Sequence, residues 1–218
     1  LNVSIKVIAD MYNILTGSVK MSSIFGALLI SVNPEILSPW EKITKRIVDV
    51  LLSILAILIL LPVFILLSFL IKTGSKGPII FKQKRIGLYG NPFWIFKFRS
   101  MITEAEKDGP QLSSQNDPRI TTIGKFMRKT RLDETPQFFN VIKGDMAIVG
   151  PRPEREYYIQ KIVAKAPHYK HILKVKPGIT SWGQIKFGYA ENVDEMVARL
   201  KFDLLYVCLL YTSDAADD

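Results

Sequence analysis

The stretch VLLSILAILILLPVFILLSFLI, from Val50 to Ile71, decides the architecture, because 22 consecutive positions carry no charge. As a helix rising ~1.5 Å per residue it measures roughly 33 Å, enough for a hydrocarbon core about 30 Å thick. Pro62 stands in its middle, where it removes a backbone hydrogen bond and bends or breaks a helix. Positive charge lies on both flanks: Lys42, Lys45 and Arg46 before, Lys72, Lys76, Lys82, Lys84 and Arg85 after. Basic flanks stay on the cytoplasmic side of a membrane, and one crossing cannot keep both there. The pattern predicts a helix-break-helix hairpin over residues 45–72 that enters and leaves by the same face. The competing readings are a kinked helix that crosses and a long buried core helix. A signal peptide is excluded by the internal position and the lack of a small-residue cleavage site. Asp49 is costly in lipid unless it stays at the interface or pairs, and Arg46, three residues earlier on the same face, is the expected partner.

A chain of 218 residues holds one domain plus part of another. Its 29 Lys and Arg against 20 Asp and Glu give a charge of +9, which favours phosphorylated substrates or acidic lipid headgroups. No nucleic-acid motif accompanies the charge, so nucleic acid is not an expected partner. A single cysteine, Cys208, excludes an internal disulfide and a cysteine-built zinc site. Two histidines, His168 and His171, are too few for a histidine-rich metal centre and read as surface or membrane-facing. Residues 1–40 read as the end of an upstream domain plus a linker, with Val3 to Ala9 as a strand and Pro34 and Pro39 in the linker. Residues 41–206 form the main domain. Residues 207–218 lack a periodic face and read as a truncated or artefactual tail.

Past the apolar stretch, Ile79 to Ile86 and Phe93 to Arg99 predict a β-hairpin across the turn formers of Gly87 to Pro92. Alternation puts Trp94, Phe96 and Phe98 on an aromatic inner face and Ile95, Lys97 and Arg99 on an outer, basic one. Met101 to Lys107 suggests a short helix, and Asp108 to Asp117 a polar loop that could cover a site. Helices follow from a Thr122 cap to about Lys129, from a Thr135 cap with Pro136 first, from Pro153 to Lys165, and after Asn192. The fold class is α+β: a helix-rich, membrane-associated domain with a re-entrant hairpin and a small β-hairpin or sheet.

Arg131-Leu132-Asp133-Glu134-Thr135-Pro136-Gln137 places two adjacent carboxylates among cations before a helix start. A helix N-terminus stabilises anions there. A carboxylate that attacks phosphorus forms an acyl phosphate, and a diphosphate substrate brings Mg²⁺ held by one or two carboxylates and phosphate oxygens. The alternative is a pair of ordinary helix-start acids. Arg128 and Arg131 add positive charge, and two prolines stiffen Arg152 for bidentate phosphate binding. Asp145 serves the turn at Gly144 or supplies a second metal ligand. Trp182 reads as core, although with Gln184 it could meet a base or sugar.

From Lys45 to about Tyr206 the chain resembles the bacterial sugar transferases, the monotopic phosphoglycosyl transferases. The matching strings are Lys45 to Asp49, Phe81-Lys82-Gln83, Phe96 to Met101, Arg131 to Gln137, Lys143 to Met146, Val149 to Pro153 and Lys176 to Thr180. The resemblance implies a re-entrant membrane hairpin containing Arg46, Asp49 and Pro62. It implies Asp133 as nucleophile and Mg²⁺ ligand, with Glu134 beside it, and a phosphosugar-enzyme intermediate. A UDP-sugar would lose UMP, and undecaprenyl phosphate would take the phosphosugar, an initiating step of exopolysaccharide, capsule or O-antigen synthesis. Lys97, Arg99, Arg119, Arg128, Arg131 and Arg152 would bind substrate phosphates. The setting would be the bacterial inner membrane, with the catalytic domain on its cytoplasmic face; homo-oligomers are allowed. The rival class is a non-catalytic, basic membrane-surface scaffold of a polysaccharide assembly complex.

Overall fold

The computed structural model describes residues 6–8, 21–24, 27–31, 38–103, 105, 109, 111–112, 117–188 and 190–214. Most of the polar loop expected over Asp108 to Asp117, and residues 104, 106 and 107 of the short helix expected from Met101 to Lys107, lie outside them; Met101 pairs with Ile120 in an isolated bridge rather than opening a helix.

Before the apolar stretch, β1 (Lys6–Ile8), β2 (Met21–Ile24) and β3 (Ala27–Ser31) form an antiparallel sheet in the order β1-β3-β2. Then α1 runs from Pro39 to Gly74. Ser38 and Glu41 form a capping box, with Pro39 at the first helical position, so Pro39 starts the helix rather than a linker.

The expected break is absent: α1 is one helix that passes through Pro62. Its two arms nevertheless return to the same place, helix α3 (Gln137–Lys143). Arg46 donates to the Val141 and Ile142 carbonyls at 2.6 and 2.8 Å, while the Phe64 ring lies 6.3 Å from that of Phe139. Residues 46 and 64 are roughly 27 Å apart along a straight helix, whereas α3 is only about 10 Å long. Pro62, between the two contacts, is the natural position for the bend. Only 11% of the most apolar window of α1 is buried, which rules out a soluble core helix and marks α1 as the membrane segment. Arg46 is spent on α3, so Asp49 takes Lys45 at 3.2 Å and the Ile148 N–H at 3.2 Å instead.

Strands β4 (Ile80–Ile86) and β5 (Pro92–Phe98) pair antiparallel from Ile80 with Phe98 to Ile86 with Pro92. The expected faces are reversed. Phe93 and Ile95 are buried with Val141 and Met146, and Trp94 is 52% exposed. Phe98, on the Trp94 face, is buried by Leu67 and Ile71 of the returning arm and by Met127. The hairpin is thus covered on one side by the turn at residues 132–134 and α3, and on the other by α1. Burying each such apolar side chain contributes about 1.5–3 kcal/mol.

Helix α2 (Thr122–Thr130) is capped by Thr121, one residue earlier than expected. A 3₁₀ turn, Leu132–Glu134, leads into α3. Thr135 does not cap α3; its hydroxyl donates to the Leu132 carbonyl at 2.7 Å. Strands β6 (Ala147–Val149) and β7 (Gly178–Thr180) pair in parallel. Here two glycines meet: a Cβ on Gly178 would lie 2.1 Å from the Gly150 nitrogen. Helix α4 (Glu156–Lys165), the 3₁₀ segment Pro167–Lys174 and helix α6 (Val193–Asp214) enclose Tyr158, Ile162, Tyr169 and Leu200. Asn192 caps α6 through the Glu195 N–H at 2.9 Å. The helix crosses residue 206 without interruption, and Val207 is buried in this core. The short α5 (Trp182–Lys186) leaves Trp182 44% exposed rather than in the core, with Lys186 over its ring.

Candidate active site

The acidic pair is built into a strained local turn. Arg131 ends α2 in the left-handed region, at φ 60°, and its N–H satisfies the last carbonyls of the helix. A non-glycine residue there is uncommon and needs support from its surroundings. The reversal carries Asp133 and Glu134 inward, to 5% and 6% exposure. Helix α3 is anchored behind them by Asn140, which is fully buried. Its amide donates to the Trp94 carbonyl at 2.7 Å and accepts from the Phe96 N–H at 3.0 Å. This fixes β5 against α3 and delivers Lys97 to the dyad.

The two carboxylates have different surroundings. Glu134 Oε1 is 2.6 Å from Lys97 Nζ and 3.3 Å from Arg152 Nη2, and its Oε2 is 3.9 Å from Arg131. Burial opposes its charge, but Lys97 and Arg152 outweigh that and hold its carboxyl well below the usual range. Its cation partners thus favour the charged form of Glu134.

Asp133 is pushed the other way. Burial raises its pKa, Lys97 opposes the rise and the neighbouring Glu134 charge adds to it. Its Oδ1 is buried without a hydrogen-bond partner among the described residues. Such an orphaned acceptor is costly in a folded protein, and it is what a nucleophile or a metal ligand looks like before its partner arrives. Lys97, itself pushed down by burial, lies close enough to act on both carboxylates.

The predicted cations separate into two groups. Lys97, Arg131 and Arg152 contact Glu134. Arg128 bonds Ser100 Oγ at 2.9 Å and is near enough to Asp133 to lower its pKa. Arg99 is engaged elsewhere: it closes the end of α1 by donating to the Lys76 and Ser75 carbonyls at 2.7 and 2.8 Å. Arg119 pins the 117 loop through Asp117 and the Ala105 carbonyl at 2.8 Å, and this pairing holds the Asp117 carboxyl down at about 2. Lys97, expected on a solvated outer face, is half-buried at the dyad because that face of the hairpin is the inner one. His168 and His171 are on the surface.

Among the described residues no cluster of three His, Cys, Asp or Glu side chains could form a metal cage. Magnesium takes most of its ligands from water and substrate phosphates and needs only one or two carboxylates. The unpartnered Asp133 oxygen suits it; Glu134 is committed to cations. Asp145 is paired with Lys143 at 3.0 Å in the turn at Gly144, whose φ is 100°.

Sequence patterning overlooked Asn140, Glu154, Arg199 and Asp203, all buried. A polar residue amid apolar neighbours, as at Asn140, was the available signal.

The site is thus a buried carboxylate with an unpartnered oxygen beside cations, in a domain that also carries one long, largely exposed apolar helix. Residues 40–212 match the family described as bacterial sugar transferase, and the chain belongs to that family. An Aeromonas hydrophila protein, named UDP-N-acetylgalactosamine-undecaprenyl-phosphate N-acetylgalactosaminephosphotransferase, is 39% identical over 88% of this chain and 45% of its own length. The Escherichia coli UDP-glucose:undecaprenyl-phosphate glucose-1-phosphate transferase is 37% identical over 94% of this chain and 44% of its own. The Salmonella typhimurium undecaprenyl-phosphate galactose phosphotransferase is 34% identical over 86% and 41%. The chain spans less than half the length of these relatives.

Proposed function

We propose that this chain transfers a sugar 1-phosphate from a UDP-sugar to undecaprenyl phosphate by way of an aspartyl phosphosugar. The observation that carries the reading is the buried, unpartnered Asp133 Oδ1 beside Lys97 and Arg128, with Arg131 and Arg152 on the adjoining carboxylate. Asp133 Oδ1 attacks the sugar-bearing phosphorus. The bond from that phosphorus to the bridging oxygen breaks, and UMP leaves with the electron pair. A phosphate oxygen of the lipid then attacks the same phosphorus and returns the electron pair to Asp133. The chain's cations receive the phosphate charge throughout, at sites preorganised by Glu134. Bound Mg²⁺, held by Asp133 and substrate oxygens, would neutralise the leaving group.

The two arms of α1 meeting at α3 support a re-entrant topology with both flanks on the cytoplasmic face of the inner membrane. On this reading the dyad lies at headgroup depth, where a lipid phosphate can reach it. Initiation of exopolysaccharide, capsule or O-antigen synthesis is the step this product would serve. The relatives are named for three different sugars at similar identity, so the donor is found by assay. UMP release is measured with UDP-glucose, UDP-galactose and UDP-N-acetylgalactosamine, in detergent with Mg²⁺ and undecaprenyl phosphate. Lipid-dependent release from one donor, lost in Asp133→Asn, is expected. Equal release by both proteins would remove Asp133 as nucleophile.

A further inference from the structure

The Pro151-Arg152-Pro153 loop is held from three directions. Arg152 Nη2 reaches Glu134 at 3.3 Å, and its Nε faces Glu154 Oε1 at 4.0 Å. Its backbone N–H donates to Asp203. Glu154, 4% exposed, binds two further arginines: Arg199 Nη2 at 2.6 Å and Arg85 Nη1 at 3.2 Å. Arg199 and Asp203 are one turn apart on α6, so both face the loop. Asp203 Oδ1 also accepts from the Gly183 N–H at 3.0 Å. A Cβ at Gly183 would lie 2.8 Å from Arg199 Cγ, so α5 is pressed against the pair.

Three arginines surround one buried carboxylate. Stability gives little reason for this, because a buried ion pair is often no better than an apolar replacement. Arginines held in fixed positions beside a dianionic ligand have a clear use.

We propose that Glu154, with Arg199 and Asp203 of α6, is a positioning set that aims the Arg152 guanidinium at the substrate diphosphate. The proposal rests on the transfer reading given above. It makes α6, which begins about 60 residues after the dyad, part of the phosphate site.

The test uses the whole chain in detergent, with initial rates on the UDP-sugar that the wild type turns over and thermal unfolding alongside. Glu154→Gln strands Arg199; Tm falls and KM for the UDP-sugar rises about tenfold, as for loss of one charge-assisted contact. Adding Arg199→Met removes the stranded charge. Tm then recovers, while KM stays raised because Arg152 still lacks its neighbour. Recovery of KM together with Tm would make Glu154 a fold element only and overturn the proposal. Should the double variant fail to fold, Glu154→Asp decides: it keeps the charge but withdraws it by one methylene. A raised KM in folded Glu154→Asp supports the positioning set, and an unchanged KM overturns it. A wild type that releases no UMP would refute the transfer reading instead. UDP binding by calorimetry to the same variants then carries the comparison.

Discussion

Asp133 and Glu134 are neighbours in sequence with opposite electrostatic fates, and the difference assigns their roles. A carboxyl whose pKa is raised by folding costs stability once ionised, because the unfolded chain ionises it more readily. Asp133 is such a group at neutral pH. Asp133→Asn should therefore abolish UMP release and, at pH 7, leave Tm equal to or above that of the wild type. A clear fall in Tm would mean that the carboxylate stabilises the fold. Glu134 contributes to the upward shift of Asp133. Glu134→Gln should accordingly move the acid limb of the pH–rate profile to lower pH, while the rate at the plateau falls because Lys97 and Arg152 lose their shared anchor. A limb that moves upward would contradict this assignment.

At the scale of elements, the position of the acidic turn depends on how β5 and α3 are joined. Asn140→Ala leaves the Trp94 carbonyl and the Phe96 N–H without partners, and should cost about 3 kcal/mol in denaturant unfolding. A loss below 1 kcal/mol would show that water or backbone shifts replace the amide easily. This join was not legible in the sequence, since its partners lie 44 and 46 residues away. The same holds for Glu154 and Arg199, which are 45 apart. By contrast, the dyad, the cations Arg131 and Arg152 and the hairpin are written in short contiguous strings. Alternation along β5 correctly divided its two faces, but not which one turned inward. Lys97 belongs to the inner face because Glu134 waits there, and no local pattern could reveal that. Arg99, one strand period further on, was drawn instead to the open carbonyls at the end of α1.

At the scale of the whole molecule, the proposed depth of the site rests on α1. Length, apolarity and flanking charge identified the segment; the break expected at Pro62 is absent, and the helix continues through the proline. Pro62→Leu should straighten α1 and let part of the population cross the membrane. In a Cys208→Ser background, cysteines placed at Val48 or Lys76 then become accessible to an impermeant thiol reagent from the periplasmic side. Unchanged protection at both positions would mean that the polar contacts of Arg46 and Asp49, rather than the proline, hold the two arms together.

The transfer proposed above turns on one covalent event at Asp133. Intact-protein mass spectrometry after incubation with the donor UDP-sugar and Mg²⁺, without lipid acceptor, tests it most directly. The account predicts an added mass of one phosphosugar, absent from Asp133→Asn and discharged when undecaprenyl phosphate is supplied. Turnover with acceptor present but no adduct on the wild-type protein, or an adduct that persists in Asp133→Asn, would contradict it.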